Sequence, residues 1–213
     1  MKINFTPSVN FTAILKDYSP VVKKYDKDIG IYNDEKVSFV EIDTSNKNDI
    51  KALRDIAFEW CRGDTYAGQI YDDARQKSIN RYYDYENKLR FYAITSQKDD
   101  FDNLDYKKIL AVCKSEEKSS EKMYLNYLQV KPSCIYERPS NYKMVGTGFL
   151  DSLKKYYDEI TLTSLKLKKV LKFYKNNGFM FYKDSYEIKP LDENAISDIL
   201  KGKGRLRLIW RKV

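Results

Sequence analysis

Two glycines, Gly146 and Gly148, lie in the segment of the sequence that is best suited to bind an anion. The residues Lys143-Met144-Val145-Gly146-Thr147-Gly148 open an apolar-striped helix that we predict over Val145–Tyr157. The first turn of a helix has several backbone N–H groups without a partner, and glycine lets a ligand approach them closely. Because the helix dipole adds partial positive charge, this turn favours a phosphate or pyrophosphate. Alternatively, the glycines serve only a tight turn and close packing.

A lysine-rich helix, predicted over Lys166–Asn177, is a second element that could contact phosphates. Its apolar stripe consists of Leu167, Val170, Leu171 and Tyr174, and much of the rest is lysine: Lys166, Lys168, Lys169, Lys172 and Lys175. Gly178 ends the helix. A solvated helix face explains the lysines equally well, and core packing explains Tyr174, so both interpretations stay open.

The absence of histidine restricts the possible chemistry. It excludes a Ser-His-Asp triad, a Cys–His pair and a His-ligated metal. The three cysteines, Cys61, Cys113 and Cys134, are widely spaced, which is typical of reduced thiols in a cytosolic protein. We therefore expect no metal and a cytoplasmic location. Any catalysis must use carboxylates, tyrosine, cysteine, lysine, water or a cofactor.

The net charge of +8 is concentrated at one end of the chain. Residues 166–213 contain 13 basic and five acidic side chains, whereas residues 1–165 contain 26 of each. A clustered excess of this kind favours a local anionic partner, such as a phosphate-bearing cofactor or RNA. No apolar run is long enough to span a membrane, and we do not interpret Met1–Leu15 as a signal peptide.

Hydrophobic periodicity predicts the elements that position these residues. The strands are predicted near Val21–Tyr25 and over Lys36–Asp43, Leu89–Gln97, Lys107–Lys114, Lys122–Val130, Glu159–Leu165, Phe179–Tyr186 and Arg205–Arg211. Further helices are predicted over Asp49–Cys61, Tyr66 to about Tyr85, and Asp192–Leu200, and a loop extends from Pro132 to Tyr142.

This order of elements indicates one mixed α/β domain over residues 36–213. We expect a central mixed, largely antiparallel sheet of six to seven strands flanked by helices. Residues 1–35 are an N-terminal extension of unknown role, which could cover a sheet edge, dock a partner or be disordered.

Three short motifs follow one another between residues 128 and 179. They are L-x-V-x-P (Leu128–Pro132), a turn similar to Q/R-x-x-G-x-G/A (Lys143–Gly148), and F-Y-x-x-x-G-F (Phe173–Phe179). In this order they resemble the GNAT superfamily of acyl-CoA-dependent N-acetyltransferases. The sequence departs from the family pattern at Lys143, where the family prefers Arg or Gln, and at Leu167, where it often has Asn.

The resemblance implies transfer of an acetyl group from acetyl-CoA to a primary amine by direct attack in a ternary complex. It assigns the backbone of Leu128 and Val130 to the pantetheine arm and the thioester carbonyl. Tyr174 matches the tyrosine that protonates the departing thiolate. The remaining cofactor contacts would be the amides of Val145, Gly146, Thr147 and Gly148, with the ammonium groups of Lys143, Lys168 or Lys172 near the phosphates.

The general base and the acceptor pocket have weaker signals. By position, Glu59, Asp64 and Glu121 are candidates for a carboxylate base acting through water, although each could be a surface charge. Trp60, Asp64, Tyr66 and Tyr71 could contact the acceptor, with core packing as the alternative for Trp60. The acceptor amine itself could belong to a small molecule, a peptide or an aminoacyl group.

Two other functions remain open on the sequence. A catalytically inactive GNAT-fold protein could bind coenzyme A without turnover. A nucleic-acid-binding module, or an acetyltransferase directed at tRNA, could use the basic C-terminal region, and Tyr82, Tyr83 and Tyr85 beside Arg81 hint at base stacking. We expect no membrane partner, and a monomer or a homodimer.

Overall fold

The computed structural model describes residues 13–60, 66–80, 88–184, 186–202 and 204–212. In these ranges the helices are α1 (Lys47–Trp60), α2 (Ala67–Ile79), α3 (Pro132–Tyr136), α4 (Val145–Tyr156), α5 (Lys168–Asn176) and α6 (Glu193–Lys201). The strands are β1 (Ile14–Asp17), β2 (Val21–Asp26), β3 (Ile31–Lys36), β4 (Ser38–Glu41), β5 (Leu89–Thr95), β6 (Ile109–Ser119), β7 (Lys122–Val130), β8 (Tyr142–Lys143), β9 (Glu159–Leu165), β10 (Met180–Tyr182), β11 (Ile188–Pro190) and β12 (Arg205–Arg211).

The main sheet has the strand order β1-β4-β5-β6-β7-β9-β12-β10-β11. Its described pairs are antiparallel except for β7 and β9, which run parallel and are connected through α3, β8 and α4. The predicted fold class, mixed α/β with a largely antiparallel sheet between helices, is confirmed. The sheet is larger than predicted, with nine strands among the described residues, because β1 extends one edge and β11, which lies beyond the predicted strand Phe179–Tyr186, extends the other.

The sheet separates two hydrophobic clusters because successive side chains of a strand point to opposite faces. On one face, Phe39 and Ile94 pack with residues of α4, α5 and α6. On the other face, Val40 and Ala93 pack with residues of α1 and α2. We call these the α4–α5 face and the α1–α2 face.

The described part of the predicted N-terminal extension is integrated into the domain. Strand β1 pairs with β4 at the edge of the main sheet, in agreement with the possibility that this segment covers a sheet edge. Strand β2 lies between β3 and β8 in a second, three-stranded sheet. Because β8 lies two residues before α4, this small sheet fixes the entry to the glycine-bearing helix.

Two predicted segments differ from the structure. The predicted loop between Pro132 and Tyr142 contains α3 and leads into β8, so its polar backbone is partly paired. Helix α2 ends at Ile79, and the remainder of that predicted helix, with Arg81, Tyr82, Tyr83 and Tyr85, lies outside the described residues. Among the residues that the structure describes, no helix is both long and apolar enough to cross a bilayer.

The carboxyl of Asp49 is buried at the start of α1. The side chain is 0% exposed, and its Oδ2 accepts a hydrogen bond from the Asp43 N–H (2.9 Å). Its Oδ1 has no hydrogen-bond partner in the described structure. Burial, with the nearby carboxyls of Asp43 and Asp102, raises the pKa of Asp49 to about 7.

We expect Asp49→Asn to stabilise the protein in a pH-dependent manner. The folded-state pKa lies above the unfolded value, so the folded chain keeps a proton that the unfolded chain releases between about pH 4 and pH 7. Stability of the wild type therefore falls as the pH rises through that window, while the neutral amide of Asn escapes this loss. Melting temperatures from pH 5 to pH 8 should show Asp49→Asn gaining several degrees on the wild type as the pH increases. The exposed Asp72→Asn variant is the matched control, and a difference that stays constant with pH would contradict the prediction.

Candidate functional site

A gap opens between the two parallel strands of the main sheet. Residues Lys122–Leu125 of β7 pair with Glu159–Leu162 of β9. Both strands then continue, to Val130 and Leu165, without further pairing to each other in the described chain. The gap therefore lies at the carboxyl ends of parallel strands, the usual position of ligands in open α/β sheets.

The backbone of Leu128 and Val130 faces this gap. The Lys131 N–H donates to the Leu110 carbonyl of the β6 side (2.8 Å). In an antiparallel pair, successive residues direct their N–H and C=O groups alternately toward and away from the partner strand. Gln129 therefore bonds to β6, and the polar groups of Leu128 and Val130 point away from β6, as predicted for the pantetheine contact.

A β-bulge at Asn126 sets the orientation of the residues along the gap. Tyr127 is opposite Lys114 of β6, and Leu125 is opposite the next residue, Ser115. Asn126 is therefore the extra residue of the bulge. Before the bulge, Leu125 packs on the α4–α5 face; after it, Leu128 packs there and Tyr127 packs on the α1–α2 face. The Asn126 Oδ1 is buried and has no partner among the described residues.

Helix α4 begins beside the gap with an uncapped first turn. Met144 precedes it in the left-handed conformation (φ 59°), and no side chain caps the helix. The Gly148 N–H donates to the Met144 carbonyl (2.9 Å), so the helical ladder starts there. The amides of Val145, Gly146 and Thr147 are consequently available to a ligand.

Both glycines of this turn are required by close packing. A Cβ at Gly146 would lie 3.1 Å from the Phe173 ring of α5 and 3.6 Å from the Val130 side chain. A Cβ at Gly148 would lie 3.1 Å from the Val21 carbonyl oxygen of β2. Close packing therefore accounts for both glycines, and it brings the start of α4 against the end of β7.

Two tyrosines near the gap pack on opposite faces of the sheet. Tyr174 of α5 is half-buried, with its ring 5.1 Å from that of Phe173 and 5.2 Å from that of Phe179. Tyr66 stacks on Tyr127 at 4.8 Å, on the α1–α2 face. Burial raises the pKa of Tyr174 to about 12, and the Tyr66 phenol contributes to the increase.

The three predicted lysines have neighbours other than the first turn of α4. The Lys143 ammonium lies 3.8 Å from the centroid of the Tyr32 ring. Lys172 forms an ion pair with Glu193 of α6 (3.6 Å), and Lys168 lines a groove that includes the same glutamate.

Two predicted acceptor-side residues are corrected by the structure. Trp60 is 1% exposed and belongs to the core below α1 and α2, so it does not line a pocket. Glu121 precedes β7 at the end opposite the gap, about 23 Å from Leu128 at the usual rise of a strand, so it cannot serve as the base there. Asp64 lies outside the described residues.

Glu59 and Tyr66 lie near the end of β7. Glu59 forms an ion pair with Lys131 (3.4 Å), the residue that follows Val130. The Tyr66 N–H donates to Gln129 Oε1 (3.2 Å). Sequence reasoning missed Tyr127 and Gln129 as neighbours of the gap, because the bulge that turns them to this face has no clear sequence signal.

Comparisons with known proteins give structural similarity alone. The chain is similar to the PaiA N-acetyltransferase of Thermoplasma acidophilum in complex with coenzyme A (12% identity, TM-score 0.47, 84% of this chain and 100% of that one). It is also similar to Campylobacter jejuni N-acetyltransferase PseH in complex with acetyl coenzyme A (14%, 0.47, 82% and 99%). A third similar structure is a GNAT-family acetyltransferase from Staphylococcus aureus (13%, 0.46, 82% and 98%). No protein-family model matches the chain, and no curated protein matches it by sequence.

We expect Gly148→Ala to destabilise the protein because the added methyl group meets the backbone carbonyl of Val21, which cannot move without displacing β2. The expected loss is about 1–3 kcal/mol in the free energy of unfolding, measured by urea denaturation. Gly68→Ala in α2 is the matched control, since a Cβ there has no described atom within 4 Å. The control should be neutral or stabilised by up to about 1 kcal/mol. Equal effects of the two substitutions would refute the packing role of Gly148.

Proposed function

We propose that the chain is a GNAT-type N-acetyltransferase that moves an acetyl group from acetyl-CoA to a primary amine in a ternary complex. The observation that carries this proposal is the gap at the carboxyl ends of β7 and β9. It combines an unpaired strand edge, an uncapped helix start and a half-buried phenol, and side chains from both faces of the sheet lie around it. A donor and an acceptor can therefore meet in it from opposite sides.

The donor side suits an extended molecule that ends in a diphosphate. The backbone groups of Leu128 and Val130 would pair with the amides of a pantetheine arm as an added strand does. One of these N–H groups, held rigid by the β6–β7 pairing, would stabilise the negative charge that develops on the acetyl oxygen. The amides of Val145, Gly146 and Thr147 would bind the diphosphate at the start of α4.

Tyr174 is suited to act as the general acid. When the amine nitrogen bonds to the acetyl carbon, the C–S bond breaks, and the phenol gives its proton to the leaving sulfur. With a pKa of about 12 the phenol is fully protonated at neutral pH. The burial that raises the phenol pKa also disfavours a thiolate in the same gap, so the leaving sulfur takes up a proton more readily there than in water.

The acceptor would enter from the α1–α2 face, past Tyr66, Tyr127 and Gln129. Its nitrogen loses a proton to water or to a carboxylate. Glu59 is the predicted base that lies near the end of β7, although Lys131 shares its carboxylate. Binding of the amine in its neutral form would make a dedicated base unnecessary.

Acetyl-CoA should raise the melting temperature of the protein by mass action. At a concentration 100-fold above its Kd, a ligand adds about 2.7 kcal/mol, which corresponds to roughly 5–10 °C for a domain of this size. Differential scanning fluorimetry with acetyl-CoA up to millimolar concentration measures the shift, and adenosine serves as the ligand control. No shift at millimolar acetyl-CoA argues strongly against the proposal.

Tyr174→Phe should retain the fold and lower the rate of thiol release by about 10²- to 10⁴-fold, the usual contribution of a general acid. The ring contacts with Phe173 and Phe179 are preserved, so acetyl-CoA should give the same thermal shift as with the wild type. Tyr186→Phe, at a tyrosine that is 95% exposed, is the matched control. An unchanged rate in Tyr174→Phe would remove Tyr174 from the mechanism. A thermal shift without thiol release from any amine would favour the inactive coenzyme A-binding alternative.

A further inference from the structure

Beyond β7, the α1–α2 face of the sheet lies outside the hydrophobic cluster of α1 and α2 in the described part of the chain. The cluster below α1 and α2 includes residues of β4, β5 and β6 but none that the structure describes in β9, β10 or β12. On β12, Leu206 and Leu208 pack on the α4–α5 face, so the alternate residues Arg205 and Arg207 point to the α1–α2 face. Both arginines are exposed there, whereas Ile209 in the same row is buried.

These two arginines lie beside the gap. Arg207 is opposite Thr163 of β9, and Arg205 is opposite Leu165. Thr163 and Leu165 belong to the part of β9 that no longer pairs with β7. One strand spacing, about 4.8 Å, therefore separates the backbone of the arginines from the edge of the gap.

Neither guanidinium has an acidic partner in the described chain. The Arg207 Cζ lies 4.6 Å from the centroid of the Tyr182 ring, which orients the side chain without neutralising it. By contrast, Arg211 lies on the same strand and the same face, and it forms an ion pair with Glu159 (2.8 Å). Two unneutralised positive charges are thus placed where an acceptor would enter.

We propose that the acceptor is an amine that also bears a phosphate group, and that Arg205 and Arg207 bind this phosphate. This inference rests on the proposed function. Two residues that are two positions apart on a strand have Cα atoms about 6.6 Å apart, and their side chains lie on the same face. The two guanidinium groups can therefore converge on one dianion. Guanidinium forms paired, charge-assisted hydrogen bonds with phosphate. The same charges repel a polyamine.

The test uses matched amines that differ only in the phosphate: glucosamine with glucosamine 6-phosphate, and serine amide with O-phosphoserine amide. Spermidine represents the polycationic acceptors. We expect kcat/KM for thiol release to be at least about 10-fold higher for a phosphorylated amine than for its partner, the usual size of one charged hydrogen bond. The preference should decrease with ionic strength, since both arginines are exposed.

The double variant Arg205→Gln/Arg207→Gln should bring the ratio of the two kcat/KM values close to one. The double variant Arg205→Lys/Arg207→Lys should keep part of the preference, because lysine keeps the positive charge and loses the forked geometry of the guanidinium. Arg211→Gln is the matched control and should keep the full ratio. Thermal melting of each variant confirms that it is folded.

Three outcomes would each overturn this inference. They are equal rates for the two members of both pairs, no reaction of either phosphorylated amine, and a preference for spermidine. A ratio that persists in the double variant would overturn the assignment to these arginines. Failure of the proposed function gives a different result, namely no thermal shift with acetyl-CoA.

Discussion

The hydrogen bonds that β7 and β9 do not form after Leu125 and Leu162 are the constraint on which the site depends. Backbone N–H and C=O groups need partners, and those of Leu128 and Val130 find none in β6. A parallel pair also requires a crossover, whose helix begins at the carboxyl end of the first strand. For this reason an open strand edge and an uncapped helix start occur at one edge of the sheet.

The bulge at Asn126 gives the two sides of the gap different chemistry. One extra residue reverses the inside-outside alternation of β7, so that Leu128 and Val130 pack toward α4 and α5 while Tyr127 turns toward α2. Without the bulge, the side chains of Tyr127 and Gln129 would point to the face that carries α4 and its glycine turn. A single local irregularity thereby gives the gap an apolar wall on the α4–α5 face and a polar wall on the α1–α2 face, which the proposed function assigns to the donor and the acceptor.

Much of the architecture could be predicted from the sequence, because hydrophobic periodicity and the glycine and proline positions depend on local chemistry. The strand before Lys131, the helix at Val145 and the position of Tyr174 are of this kind. The misplaced Glu121 and Trp60 show the limit: burial and the end of a strand at which a residue lies are set by long-range packing. Strand register, which puts Arg205 and Arg207 beside Thr163 and Leu165, likewise has no local signal.

The small sheet of β2, β3 and β8 has an energetic consequence for ligand binding. Strand β8 leads into α4, and the Val21 carbonyl of β2 lies against Gly148, so the helix start and the small sheet cannot move independently. An anion bound at that turn stabilises the docked small sheet against local opening, and by linkage the docked sheet raises the affinity for the anion by the same free energy. In the proposed function, the N-terminal residues would then act on affinity by preorganising the start of α4.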